Sequence, residues 1–177
     1  MTNRHRIERV QSDSPWEETI GFARAVAAGD RVLVAGTTPL TEGVVHGEGS
    51  PYEQARAAFG NGLAALKEFG LGADAVIRTR MYLTHARDVD EVVRAHKELF
   101  DAARPAATLV VVSGFVDSRI LVEVELEAYR GDGAAERGSG TGSGSGTGTG
   151  SGSGAGTGSG SGAGTGTGTG TEEQERA

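Results

Sequence analysis

Residues Arg104–Tyr129, RPAATLVVVSGFVDSRILVEVELEAY, hold two strand-like runs, Ala107–Val112 and Ile120–Tyr129, joined by a turn-rich connection. In the second run Ile120, Val122, Val124 and Leu126 alternate with Leu121, Glu123, Glu125 and Glu127. A period of two sends the first set to one face of a sheet and the glutamates to the other. Burying each of those four aliphatic side chains contributes roughly 1.5–3 kcal/mol. A one-residue slip would bury carboxylates instead, so the register of this strand is strongly specified.

An apolar strand face needs a layer against it, and the stretch Pro51–Phe69 supplies the best candidate. Ser50 is placed to cap it, Pro51 suits a first helical turn, and Glu53 follows Ser50 at capping-box spacing. Ala55, Phe59, Gly62, Leu63, Leu66 and Phe69 recur at helical spacing, while Gly60 and Gly62 suggest close packing on a sheet. A second helix is expected over Asp88–Phe100, with Val89, Val92, Val93, His96, Leu99 and Phe100 on its apolar side. His96 reads there as a satisfied core or interface histidine.

Val76–Leu83 has strand character, with Ile77, Thr79, Met81 and Leu83 on one face and Arg78, Arg80 and Tyr82 on the other. The two arginines match the glutamates of the last strand as a cross-strand ionic lattice; alternatively, Arg80 lines an anion-binding cleft. Nearer the start, Phe22–Val26 and Arg31–Thr37 flank Ala28-Gly29-Asp30, a hairpin signal. Arg24 falls among apolar neighbours. It is either a snorkelling or ion-paired residue or the holder of a carboxylate ligand. Gly36 permits close backbone approach beside the hydroxyl of Thr37. Gln11–Glu18 is polar, contains Pro15 and reads as a loop; Trp16 in it is an edge aromatic, a pocket wall or a subunit contact.

The resulting order, ββαβαββ preceded by a possible short strand at Ile7–Val10, defines an α+β fold: a mixed sheet with two helices on one face. The uncovered face carries acidic side chains together with Phe22 and Val26, and a sheet this small tends to bury such a face against another copy. Three segments are expected: an N-terminal extension over 1–13, one domain over 14–131, and a disordered tail over 132–177. From Gly138 to Gly170 glycine takes every second position with only Ser, Thr or Ala between, which cannot offset the backbone entropy of folding.

The net charge of −7 makes the chain a poor match for phosphate backbones, so no nucleic-acid partner is expected. The absence of cysteine excludes disulfides, thiolate nucleophiles and Cys-based zinc sites. The N-terminus lacks the apolar core of a signal peptide, and no apolar run approaches the ~20 residues that span a bilayer. A cytoplasmic protein with no membrane partner is expected. The four histidines, His5, His46, His85 and His96, are scattered, and no nucleophile elbow, zinc-helix motif, P-loop or strand-linked dinucleotide fingerprint is present. No metal and no cofactor are expected.

Arg104-Pro105-Ala106-Ala107-Thr108 followed by a hydrophobic strand and Val122-Glu123-Val124-Glu125 resembles the C-terminal signature of the Rid family of reactive imine and enamine deaminases. The likeness extends through Gly21–Val26, Gly29-Asp30, Val34–Thr37, Gln54, Val76–Leu83 and Phe100, covering about residues 14–130. The resemblance implies a chorismate-mutase-like fold, a homotrimer, and small-molecule clefts between subunits. It also implies hydrolysis of imines to keto acids and ammonia, with Glu123 as the water-placing glutamate. Phe22 falls at a pocket tyrosine, Gly36 at a pocket glycine, and Thr108 beside the carboxylate-binding position. Ala107 stands where imine-hydrolysing members carry an arginine, which puts ordinary 2-aminoacrylate deamination in doubt. The resemblance leaves Arg24 or Arg80 to supply that charge. The alternative is a non-catalytic trimer that binds a small ligand or another protein.

Overall fold

The computed structural model describes residues 7–131. The tail expected over 132–177 and the first six residues lie outside the described residues. In chain order the elements are β1 (Ile7–Val10), α1 (Pro15–Ile20), β2 (Ala25–Ala28), β3 (Arg31–Thr37), β4 (Leu40–Thr41), β5 (Val44–Val45), α2 (Pro51–Lys67), β6 (Val76–Leu83), α3 (Val89–Phe100), β7 (Ala106–Val111) and β8 (Val122–Tyr129). Six strands form one sheet in the order β1-β2-β3-β8-β6-β7, with β4 and β5 as a separate hairpin. All neighbours in the large sheet are antiparallel except β6 and β7, which are parallel.

The chain's last strand sits near the middle of this sheet, because its apolar side chains demand cover on one face. Ile120, Val122, Val124, Leu126 and Ala128 are all buried. Helix α2 packs across β8 and β3 and against α3. Gly62 makes that approach possible: a Cβ there would lie 2.9 Å from Leu126 Cδ1. Gly60 faces open space instead, so only one of the two helix glycines marks close packing. The Ser50 side chain accepts from Glu53 N at 3.3 Å and starts α2 as expected. Buried Gln54 ties α2 to the segment entering β8, donating to Arg119 O at 2.8 Å and accepting from Leu121 N at 2.7 Å.

Several local expectations shift. Part of the loop expected over Gln11–Glu18 is the six-residue helix α1, with Pro15 in its first turn and Gly21 ending it at φ 81. A helix so short carries too few apolar positions for a period to show. Strand β2 starts at Ala25 rather than Phe22, leaving Phe22 and Arg24 in the segment before it. A register shift in β6 between Val76 and Arg78 buries Val76 and leaves Ile77 exposed, the reverse of strict alternation. Val93 on α3 is exposed although its spacing suggested the apolar side. After α3 the chain turns through Arg104, at φ 47, which donates its N–H to Phe100 O at 2.8 Å before Pro105 leads into β7. Among the described residues no helix is long and apolar enough to cross a membrane.

Candidate functional site

The sheet face away from the helices is where β8 presents Glu123, Glu125 and Glu127. The neighbouring β6 sets Tyr82 opposite Glu123, Arg80 opposite Glu125 and Arg78 opposite Glu127. The two lower carboxylates are neutralised by that register. Arg80 Nη1 lies 2.8 Å from Glu125 Oε2, and Tyr82 donates its hydroxyl to Glu125 Oε1 at 3.2 Å. Glu127 is held by Arg31 at 2.8 Å and by Arg78 at 3.6 Å. The ionic lattice expected from the strand sequences is therefore present.

Glu123 differs. Among the described residues it has no ion-pair or hydrogen-bond partner for its carboxyl group. On its other side β3 carries a register shift between Val34 and Thr37, and that irregularity brings Gly36 directly against the carboxylate. A Cβ on Gly36 would fall 2.5 Å from Glu123 Oε1 and 3.1 Å from its Cδ. Burial pushes the Glu123 carboxyl above the usual range, the negative charge of Glu125 adds to this, and Arg24 opposes it. Burial, then Glu125, likewise raise the Tyr82 phenol.

Arg24 is anchored on three sides. Its Nη1 donates to Gly36 O at 2.8 Å and to Thr37 Oγ1 at 3.2 Å. Its Nε lies 3.3 Å from Glu17 Oε1 on α1. The Phe22 ring stacks under the guanidinium, 5.4 Å from ring centroid to Cζ. Glu17 is itself only 4% exposed and accepts from both the amide and the hydroxyl of Ser12. Thr37 is buried and turns its hydroxyl proton to Ala35 O at 2.7 Å.

The structure thus brings Phe22, Arg24, Gly36, Thr37 and Glu123 together. Arg80 lies one rung away and is committed to Glu125. Thr108 pairs in register with Arg80 on the exposed β7 edge, on the same face. Ala107 pairs with Thr79, whose side chain is buried toward the helices, so Ala107 belongs to the opposite face from Glu123. His96 is a satisfied core histidine: its Nε2 lies 2.9 Å from Thr79 Oγ1 between the rings of Phe59 and Phe100, and burial lowers its pKa. Glu17, Ser12 and Tyr82 are the neighbours that sequence reasoning left out of the site. The signal for Glu17 was the isolated Arg24, which called for an acidic partner.

Among the described residues no group of three or more histidine, aspartate or glutamate side chains is set to hold a metal ion. What the arrangement offers is a carboxyl group of raised pKa beside a glycine backbone, flanked by one fixed guanidinium and one phenol. That combination defines a small α+β protein with a half-buried, unpaired carboxyl group and a fixed guanidinium on an open sheet face.

The comparisons specify the class. A family described as Endoribonuclease L-PSP matches residues 14–130. An uncharacterized protein of Streptomyces coelicolor, SCO2049, is 66% identical over 125 residues, covering 71% of this chain and 93% of that protein. The crystal structure of Rv2704 from Mycobacterium tuberculosis, a member of the YjgF/YER057c/UK114 family, superposes with a TM-score of 0.64 at 33% identity, covering 70% of this chain and 99% of that one. The Rid-family protein YyfA of Yersinia pestis shares the fold, with a TM-score of 0.61 at 20% identity over 70% of this chain and 99% of its own. This chain belongs to the YjgF/Rid family, with its mixed, chorismate-mutase-like α+β fold. Membership supports a small-molecule-binding or deaminase-like role in general terms.

Proposed function

We propose that the chain forms a homotrimer that hydrolyses a small imine, enamine or related carbonyl metabolite in clefts between subunits. The observation that carries this reading is Glu123, a half-buried carboxyl group of raised pKa left unpaired beside two paired ones on the same strand. A structural lattice needs every carboxylate matched; a general base needs one that is free and tuned toward neutrality. In its ionised form Glu123 takes a proton from water as the oxygen adds to the imine carbon. The resulting aminoalcohol loses its protonated nitrogen as ammonia while the hydroxyl becomes a carbonyl. Arg24 is the cation whose charge acts on Glu123, and its Nη2, which has no hydrogen-bond partner among the described residues, anchors the acidic or carbonyl end of the substrate. Gly36, Thr37 and Phe22 shape its surroundings, and Arg80 and Thr108 border the same sheet face, whereas Ala107 lies on the other. Typical family members are trimers, and the open face here carries exposed Leu33 and Val110, which a second copy would cover.

The chain's acidity supports a small-molecule substrate over RNA, and the reading needs neither cofactor nor membrane. A second reading, a non-catalytic ligand-binding or interaction trimer, is favoured by Ala107, which leaves the position of the family's carboxylate-binding arginine empty of charge. Keto-acid and ammonia release from an imine generated in situ by an amino-acid dehydratase separates the two. Release by the full chain, lost on Arg24→Ala, is expected. Saturable binding of the keto acid without release would establish the second reading, and a single-copy mass by light scattering would sink both.

A further inference from the structure

We propose that Glu17 is a positioning residue: its buried carboxylate engages Arg24 and thereby holds the guanidinium beside Glu123 without letting the two pair. An arginine next to an unmatched glutamate ordinarily swings onto it. Here Nε and Nη1 of the guanidinium are already engaged elsewhere. Nε faces Glu17 Oε1 at 3.3 Å, and Nη1 is shared between Gly36 O at 2.8 Å and Thr37 Oγ1 at 3.2 Å. The arginine side chain is 13% exposed and that of Glu17 3%, so the pair sits in a setting where partners exchange reluctantly.

Ser12 locks the other side of Glu17. Its amide donates to Oε2 at 2.8 Å and its hydroxyl to Oε1, so both carboxylate oxygens are taken. The short helix α1, closed by Gly21, delivers this carboxylate to the site. The assignment rests on the reading of Glu123 as the working carboxyl group, for which staying unpaired matters. It adds the device that keeps it so. The charged and titratable groups acting on Glu123 are Glu125 from its own strand, Tyr82 from β6 and Arg24 from the segment before β2, with Arg80 drawn off by Glu125. Arg24 reaches Glu123 from outside β6 and β8, and among the described residues Glu17 is the carboxylate that pairs with it.

The test is the titration of the Glu123 carboxyl by carbon-13 NMR on the full chain, assigned by its loss in Glu123→Gln. In Glu17→Gln the guanidinium is released to pair with Glu123, and the midpoint moves down by about one pH unit or more, as for a carboxylate gaining an arginine partner. In an Arg24→Gln background the same Glu17→Gln change leaves only the direct field of the lost charge, so the shift shrinks to a fraction. Equal shifts in the two backgrounds, or no shift with folding retained, overturn the proposal. Ser12→Ala, which loosens Glu17 without removing it, is a milder second variant expected to move the midpoint the same way by less. A purely structural Glu17 would lower the melting temperature and leave the titration where it is. The readout needs no substrate, so failure to hydrolyse imines leaves this result interpretable.

Discussion

The two ends of β8 carry the same residue at alternating positions and treat it in opposite ways. At Glu125 and Glu127 the adjacent strands supply Arg80, Arg78 and Arg31, and both carboxylates end in ion pairs. At Glu123 the same neighbours supply Tyr82 and Gly36, and the half-buried carboxyl group has no partner among the described residues. Identical side chains on one strand thus become a surface lattice at one end and, among the described residues, an unpaired carboxyl group of raised pKa at the other. What separates them is the register and one bulge in β3.

The sharpest way to break the contrast is to neutralise each end in turn. Glu123→Gln is expected to lower imine hydrolysis by about 10²–10⁴-fold, the usual contribution of a general base. Glu127→Gln, which touches the lattice only, should leave the rate within a few-fold. Steady-state ammonia release measures both, and equal losses would erase the distinction between the two ends. Gly36→Ala comes next. Its new Cβ meets Glu123 Oε1 and must displace the carboxyl group, so turnover falls at least about tenfold, while the moved group is the end of a flexible side chain and unfolding stability changes little. Gly62→Ala overpacks buried Leu126 on the helix side and should cost about 1–3 kcal/mol in denaturant unfolding while sparing turnover.

A smaller effect sharpens the comparison through pH. Glu125 raises the Glu123 pKa by like-charge repulsion, so Glu125→Gln lowers it. The ionised base then survives to lower pH, and the acid limb of the rate profile moves down. A limb that stays put or moves up would mean that repulsion from Glu125 does not govern Glu123. The smallest change expected is at the exposed end: Arg78→Ala removes a 3.6 Å pair whose arginine is 45% exposed, and should cost less than about 1 kcal/mol.

His96 provides a check on the opposite face. Burial lowers its folded-state pKa below the unfolded value near 6.5, so the unfolded chain binds the extra proton first. Stability is therefore full above that value and declines as pH falls from it toward the lowered folded pKa. Replacing His96 with glutamine should flatten this part of the stability profile; an unchanged slope would assign it to other groups.

Much of the helix-facing side was legible before any coordinates. The alternation in Val122–Tyr129, the Ser50 cap and the apolar spacing of Pro51–Lys67 are local patterns, and burial enforced them. Where local signals were short or interrupted, they misled. Helix α1 had too few residues to show a period, Ile77 was turned outward by a bulge, and Gly60 met no neighbour. The candidate site was half visible: Glu123, Gly36 and Arg24 could be singled out, but nothing nearby in the chain marked Glu17 as the partner that occupies Arg24.

From residue order alone follow the alternating strands, the two capped or amphipathic helices and the α+β class, because each depends on apolar periodicity over a few consecutive residues. Which glutamate stays unpaired does not follow, because it depends on strands far apart in the chain meeting in one register. A shift between Val34 and Thr37 puts a glycine beside Glu123, while unshifted pairing puts arginines beside Glu125 and Glu127. Charge compensation across a sheet is a property of neighbours in space, and only the assembled sheet assigns them.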